Sequence, residues 1–127
     1  MSTGTRVAGQ SLPRIDAPGK VTGSAVYAAD FALPGMLYGK VFRSAEPHAR
    51  LVRIDIARAS AMPGVRAVIT AADAADVRYG AAVKDEPVFA PDVVRYVGQP
   101  LAAVAAVTLE AAEAALAAID EIGRAHV

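Results

Sequence analysis

A chain of 127 residues, 54% of them hydrophobic, has enough apolar surface to bury one core, which argues against disorder. Its 13 basic and 13 acidic residues cancel to zero formal charge, and the basic ones are scattered singly, so nucleic acid is a poor partner. With no cysteine, the segment carries neither a disulfide nor a cysteine-ligated iron–sulfur cluster.

Met1 to Gly9 holds no apolar stretch of the kind found in a secretion signal, so a cytoplasmic protein is expected. Residues up to Gly23 mix Gly, Pro, Ser and Thr without hydrophobic periodicity and read as an extended N-terminal arm, residues 1–23. From Ala25 the pattern changes. Ala25–Ala28 reads as a short strand, Leu33-Pro34-Gly35 as a break, and Met36–Phe42 as a strand rich in apolar and aromatic residues. Leu51–Ile56 alternates, which puts Val52, Ile54 and Ile56 on one face and Arg53 and Asp55 on the other.

Ala57–Met62 is a run of helix formers closed by Pro63-Gly64, and Val65–Thr70 is the next strand. A loop containing Asp73 and Asp76 follows, then short strands at Val88-Phe89 and Val93–Val97. The longest strongly apolar run, Leu101–Val107, falls far short of the roughly 20 residues that span a membrane. Its small side chains suit a central strand covered on both faces. Thr108 is placed to cap a helix over Leu109–Ile119, with Glu110 in its positive first turn. Leu109, Ala112, Leu116 and Ile119 form its apolar stripe, and Glu110 and Glu113 lie off it. The class predicted is α+β: one domain, a mixed sheet and two helices.

Chemistry-bearing combinations are sparse. Ser44 and His48 bring a hydroxyl near an imidazole in sequence, but a nucleophilic site also needs an orienting carboxylate and an oxyanion hole, and neither is identifiable. Gly19-Lys20-Val21-Thr22-Gly23 has Val21 where a phosphate-binding loop needs Ser or Thr, and reads as a turn. His48 and His126 are the only histidines, so a transition-metal site would rest on scattered carboxylates, and Asp85-Glu86 reads as solvated loop.

The motifs in register are more specific than any of these. Val7 to Asp16, Lys20 to Asp30 and Leu33 to Leu37 resemble the opening arm and first strands of the molybdenum hydroxylase large subunit, in the xanthine dehydrogenase and aldehyde oxidase family. Arg43-Ser44 with His48-Ala49, Ile54-Asp55, Pro63-Gly64-Val65 and Thr70 to Asp73 resemble the middle of that family's N-terminal α/β-hammerhead domain. Val94 to Ala102 and the helix from Leu109 resemble its end. The resemblance implies a hammerhead domain over residues 24–120. It also implies a parent enzyme that uses molybdopterin-bound molybdenum to oxidise an aldehyde, N-heterocycle or aryl substrate. Iron–sulfur clusters and usually FAD would sit on other subunits or domains, with the remainder of the large subunit as the immediate partner.

No catalytic, cofactor-binding or metal-binding residue is carried onto this segment; Arg43, His48, Gly98 and Gln99 match structural motifs of the domain. The competing reading is a free-standing interaction module docking to a partner subunit. Glu121 to Val127 departs from the family pattern and is also the translation of gag-atc-gga-aga-gca-cac-gtc, the start of a widely used sequencing adapter. Residues 121–127 are therefore expected to be a non-native tail that does not pack.

Overall fold

A computed structural model describes residues 9, 11–75 and 77–125, with the backbone alone described over 122–125. Asp76 and His126 lie outside the described residues. The chain divides into two units, residues 1–34 and residues 35–127. The sequence reading ends the arm at Gly23; the first unit runs on to Pro34.

Within the first unit the arm is not wholly extended, contrary to the sequence expectation. Ala17–Thr22 form a short helix, α1, because Pro18 stands in the first turn, where its missing N–H is not needed. Gly23 closes the helix at φ 74°, a left-handed conformation that glycine adopts without steric cost. An ion pair from Lys20 to Asp16 and the Thr22 hydroxyl donating to the Pro18 carbonyl at 2.7 Å tie the turn together. The strand expected at Ala25–Ala28 is absent. Ala28–Asp30 instead make a 3₁₀ turn, in which Asp30 Oδ2 accepts the Tyr27 N–H at 3.0 Å.

The second unit is α+β, and its strands pair antiparallel in separate small sheets rather than in one mixed sheet. The first sheet has the order β1 (Tyr38–Arg43), β7 (Pro100–Ala106), β3 (Val65–Thr70). The second has the order β6 (Val93–Val94), β2 (Ala49–Asp55), β8 (Asp120–Ala125), and a hairpin joins β4 (Arg78–Tyr79) to β5 (Glu86–Pro87). Antiparallel pairing needs no long crossover, which suits a chain with few helical residues.

The continuous apolar run is the central strand β7, and its alternation explains why both faces are covered. Leu101 points into a cluster with Ala90 and Val94. Ala102 and Val104 face the other way, into a cluster with Ala59, Ala115, Ala118 and Ile119. The helix α3 (Leu109–Ala117) lies over this second face, and Thr108 Oγ1 caps it by accepting the Ala111 N–H at 3.1 Å. The short helix α2 (Ala57–Ser60) adds Ala59.

Three local expectations are corrected. In β2, Val52 is exposed while Leu51 and Ile54 pack inward, because the pairing with β8 slips between Leu51 and Arg53 and resets the two-residue phase. In α3, Leu109 is exposed and the buried face is made by Ala112 and Ala115. Val88-Phe89 is a bend, and the strand lies just before it at Glu86–Pro87. The end of the chain also differs from expectation: residues 121–125 do pack, as the backbone of β8 along β2.

Candidate functional site

Two of the second unit's sequence motifs, Arg43-Ser44 and Gly98-Gln99, converge at one corner, where β1 ends and the turn before β7 begins. Arg43 Nη1 donates to the Gly98 carbonyl at 2.8 Å. The Ser44 N–H donates to the Gln99 carbonyl at 3.0 Å, and the Gly98 N–H returns to the Ser44 carbonyl at 2.8 Å. Gly98 holds φ 87°, which the turn requires and a side chain would strain. Two motifs more than fifty residues apart, Arg43-Ser44 and Gly98-Gln99, are thus one interlocked backbone clasp.

Ser44 and Gln99 are the buried polar residues of this clasp, each 2% exposed. The Gln99 carboxamide oxygen accepts the Arg95 N–H at 2.7 Å. The Ser44 hydroxyl donates to Glu121 Oε1 at 2.6 Å and accepts the Glu46 N–H at 3.1 Å. Among the described residues no buried side-chain polar atom lacks a partner. The clasp therefore satisfies itself, as a structural polar network must.

Beside it lies an open groove of about 430 Å³ lined by Arg78, Asp85, Glu86, Arg95, Tyr96 and Gln99. The Tyr96 hydroxyl donates to Glu86 Oε1. That hydrogen bond, with the carboxylate charge behind it, pushes the phenol above its ordinary value, because an ionised phenolate would face a carboxylate. The pair crosses from β5 to the turn after β6 and ties the small hairpin to the rest of the unit.

The candidate nucleophile does not assemble. His48 is exposed, and the Ser44 hydroxyl is turned to Glu121 instead. Lys20 and Thr22 of the glycine-flanked segment are engaged inside α1. Asp85 and Glu86 are not both solvated loop: Glu86 is half-buried in β5. Of the motif residues named from the sequence, Arg43, Gly98 and Gln99 come together and His48 stands apart. The Ser44–Glu121 and Tyr96–Glu86 contacts had no local signal, since both join residues that only the folded chain brings close.

The chain has no cysteine to ligate an iron–sulfur cluster, and among the described residues no three His, Asp or Glu side chains stand close enough to share an ion. No helix among the described residues is long and apolar enough to cross a membrane.

An interlocked clasp, a small-residue central strand and small antiparallel sheets, one of them under the main helix, define an α+β module. Residues 22–121 match the family described as aldehyde oxidase and xanthine dehydrogenase, a/b hammerhead domain, and the chain belongs to that family. It is 52% identical over 111 residues to a probable xanthine dehydrogenase subunit of Bacillus subtilis (strain 168), covering 87% of this chain and 15% of that protein. It is 44% identical over 115 residues to the nicotinate dehydrogenase large molybdopterin subunit of Eubacterium barkeri, covering 90% of this chain and 27% of that protein. Reconstituted CO dehydrogenase from Oligotropha carboxidovorans has the same fold, with a TM-score of 0.87 and 32% identity over 93% of this chain and 15% of that one. The chain thus spans between 15% and 27% of the length of these proteins. These relatives favour the enzyme-domain reading over the free-standing module.

Proposed function

We propose that this chain is the hammerhead segment of the large subunit of a molybdenum-dependent oxidoreductase, and that its own role is structural. The observation that carries the reading is the in-register family match over residues 22–121, joined to a polar network whose buried members are all paired. Among the described residues each buried polar side-chain atom has a partner, which supports a role in shape and packing. The parent would oxidise an aldehyde, N-heterocycle or aryl carbon at a molybdopterin site on later domains. Electrons would leave through iron–sulfur clusters and usually FAD on partner subunits, in a cytoplasmic complex.

Residues 121–127 are proposed to be non-native, although the family match reaches Glu121 and the Ser44 hydroxyl donates to it. A foreign sequence can still take the place of a strand, because ladder hydrogen bonds belong to the backbone and tolerate many side chains. Resequencing the gene across codons 121–127 tests this, and a different series of codons would remove the explanation.

The functional test is a hybrid large subunit, in which residues 1–120 replace the matching segment of the Bacillus subtilis relative. The hybrid is expected to assemble and to incorporate molybdenum at the parent level. A soluble, folded hammerhead in a subunit that never acquires molybdenum would contradict the reading.

A further inference from the structure

The clasp uses only one end of the Gln99 carboxamide. Its oxygen accepts the Arg95 N–H at 2.7 Å, and because a backbone N–H can only donate, that bond fixes which end of the amide is the oxygen. The NH2 end donates to no described residue. Gln99 is 2% exposed, and among the described residues every buried side-chain polar atom has a partner, so the NH2 is a part of the side chain that reaches the surface. The surface it reaches is the wall of the groove of about 430 Å³ beside the clasp. A nearly buried amide, locked at its oxygen and presenting two donors at its nitrogen, is the kind of fixed polar group that orients a ligand in a groove.

Arg95 supplies the second set of donors. The residue whose N–H holds the amide also carries an exposed guanidinium on the same wall. Its side-chain hydrogen bond is a long one, from Nη1 to the Val93 carbonyl at 3.4 Å, and among the described residues it forms no ion pair. A guanidinium and an NH2 offer N–H donors and no acceptor, which is the complement of a carboxylate. Asp85 and Glu86 line the groove as well, with the Glu86 carboxylate already taking the Tyr96 hydroxyl. Their two negative charges offset those of Arg78 and Arg95, so the groove accepts one further negative charge at its donors and resists a second. We infer that this groove is a binding site for a small monocarboxylate, held by the Gln99 NH2 and the Arg95 guanidinium, from which Asp85 and Glu86 turn away doubly charged oxyanions. The site adds to the structural role proposed above and does not rest on it, since all of its residues belong to the second unit. A free acid and an acidic side chain present the same group, and the test separates the two.

The probe is para-fluorobenzoate, titrated into the 127-residue chain and followed by fluorine NMR and by the side-chain NH2 signals of Gln99 in proton–nitrogen spectra. Saturable binding that moves those signals is expected, and inorganic phosphate at the same concentration is expected to leave them in place. Arg95→Gln removes the exposed guanidinium but keeps the N–H that locks the amide, so it should weaken binding at least tenfold at an unchanged melting temperature. Arg66→Gln, at an exposed arginine outside the groove, should bind like the parent. Gln99→Glu keeps an oxygen for the Arg95 N–H and replaces the donor with an acceptor, so binding should be lost; if that variant does not fold, Arg95→Gln decides. Gln99 signals that stay still under the probe, or equal affinity in Arg95→Gln and the parent, would overturn the inference. Phosphate binding as tightly as the probe would overturn the choice of a monocarboxylate. Arg95-dependent binding that persists in the hybrid large subunit identifies a free acid as the ligand, whereas its loss there identifies an acidic side chain of the longer polypeptide.

Discussion

Leu101, Val94 and Val104 of the second unit are fully enclosed, while Ile15, Val21 and Val26 of the first stand in solvent, although both sets are aliphatic residues of similar size. The difference lies in what surrounds them. Leu101 and Val104 sit on β7, which has a paired strand on each side and a helix over one face. Ile15 and Val21 flank or lie on a single-turn helix between Pro13 and Gly23, with no strand for a second layer to cover. Apolar content makes a core only where pairing supplies layers.

The sharpest way to break this contrast is to attack the enclosed side. Leu101→Ala removes a fully buried leucine of β7 that clusters with Val94 of β6 and with Leu51 and Ile54 of β2, and is expected to cost about 2–5 kcal/mol in urea unfolding, from lost transfer energy and the cavity left behind. A loss no larger than that of an exposed substitution would mean that the second cluster does not bear on stability. Gln99→Ala should cost about 1–3 kcal/mol, because it strands the Arg95 N–H within the clasp. Thr108→Ala is expected to lose about 1 kcal/mol with the α3 cap, and helical circular dichroism should fall with it.

Smaller still is the Tyr96–Glu86 pair. A phenol raised in the folded state stabilises the fold below its ordinary value of 10.0, and that contribution is lost as pH rises through the raised one. Tyr96→Phe should therefore flatten the alkaline end of the stability–pH curve and leave the acid end unchanged. An unaltered alkaline limb would show that the pair does not persist in solution.

How far the sequence could foresee this contrast depends on the range over which each signal acts. β7 and α3 were legible because a continuous small apolar run and a Thr cap are local features. The phase of β2 was not, since the slip at Val52 is decided by its pairing with β8. Two-residue strands such as β4 carry too few side chains to show a period. The arm's helix was hidden by its Pro and Gly content, although Pro18 early and Gly23 late are the residues that start and stop it. At the clasp, Arg43, Gly98 and Gln99 could be named from motifs, whereas Ser44 meets Glu121 across 77 positions of sequence.

Hydrogen exchange on the isolated chain tests the two-region account most directly. The amides of β7 should exchange only through global opening, and those of residues 12–33 should exchange with little protection. Arm amides as protected as those of β7 would contradict the account.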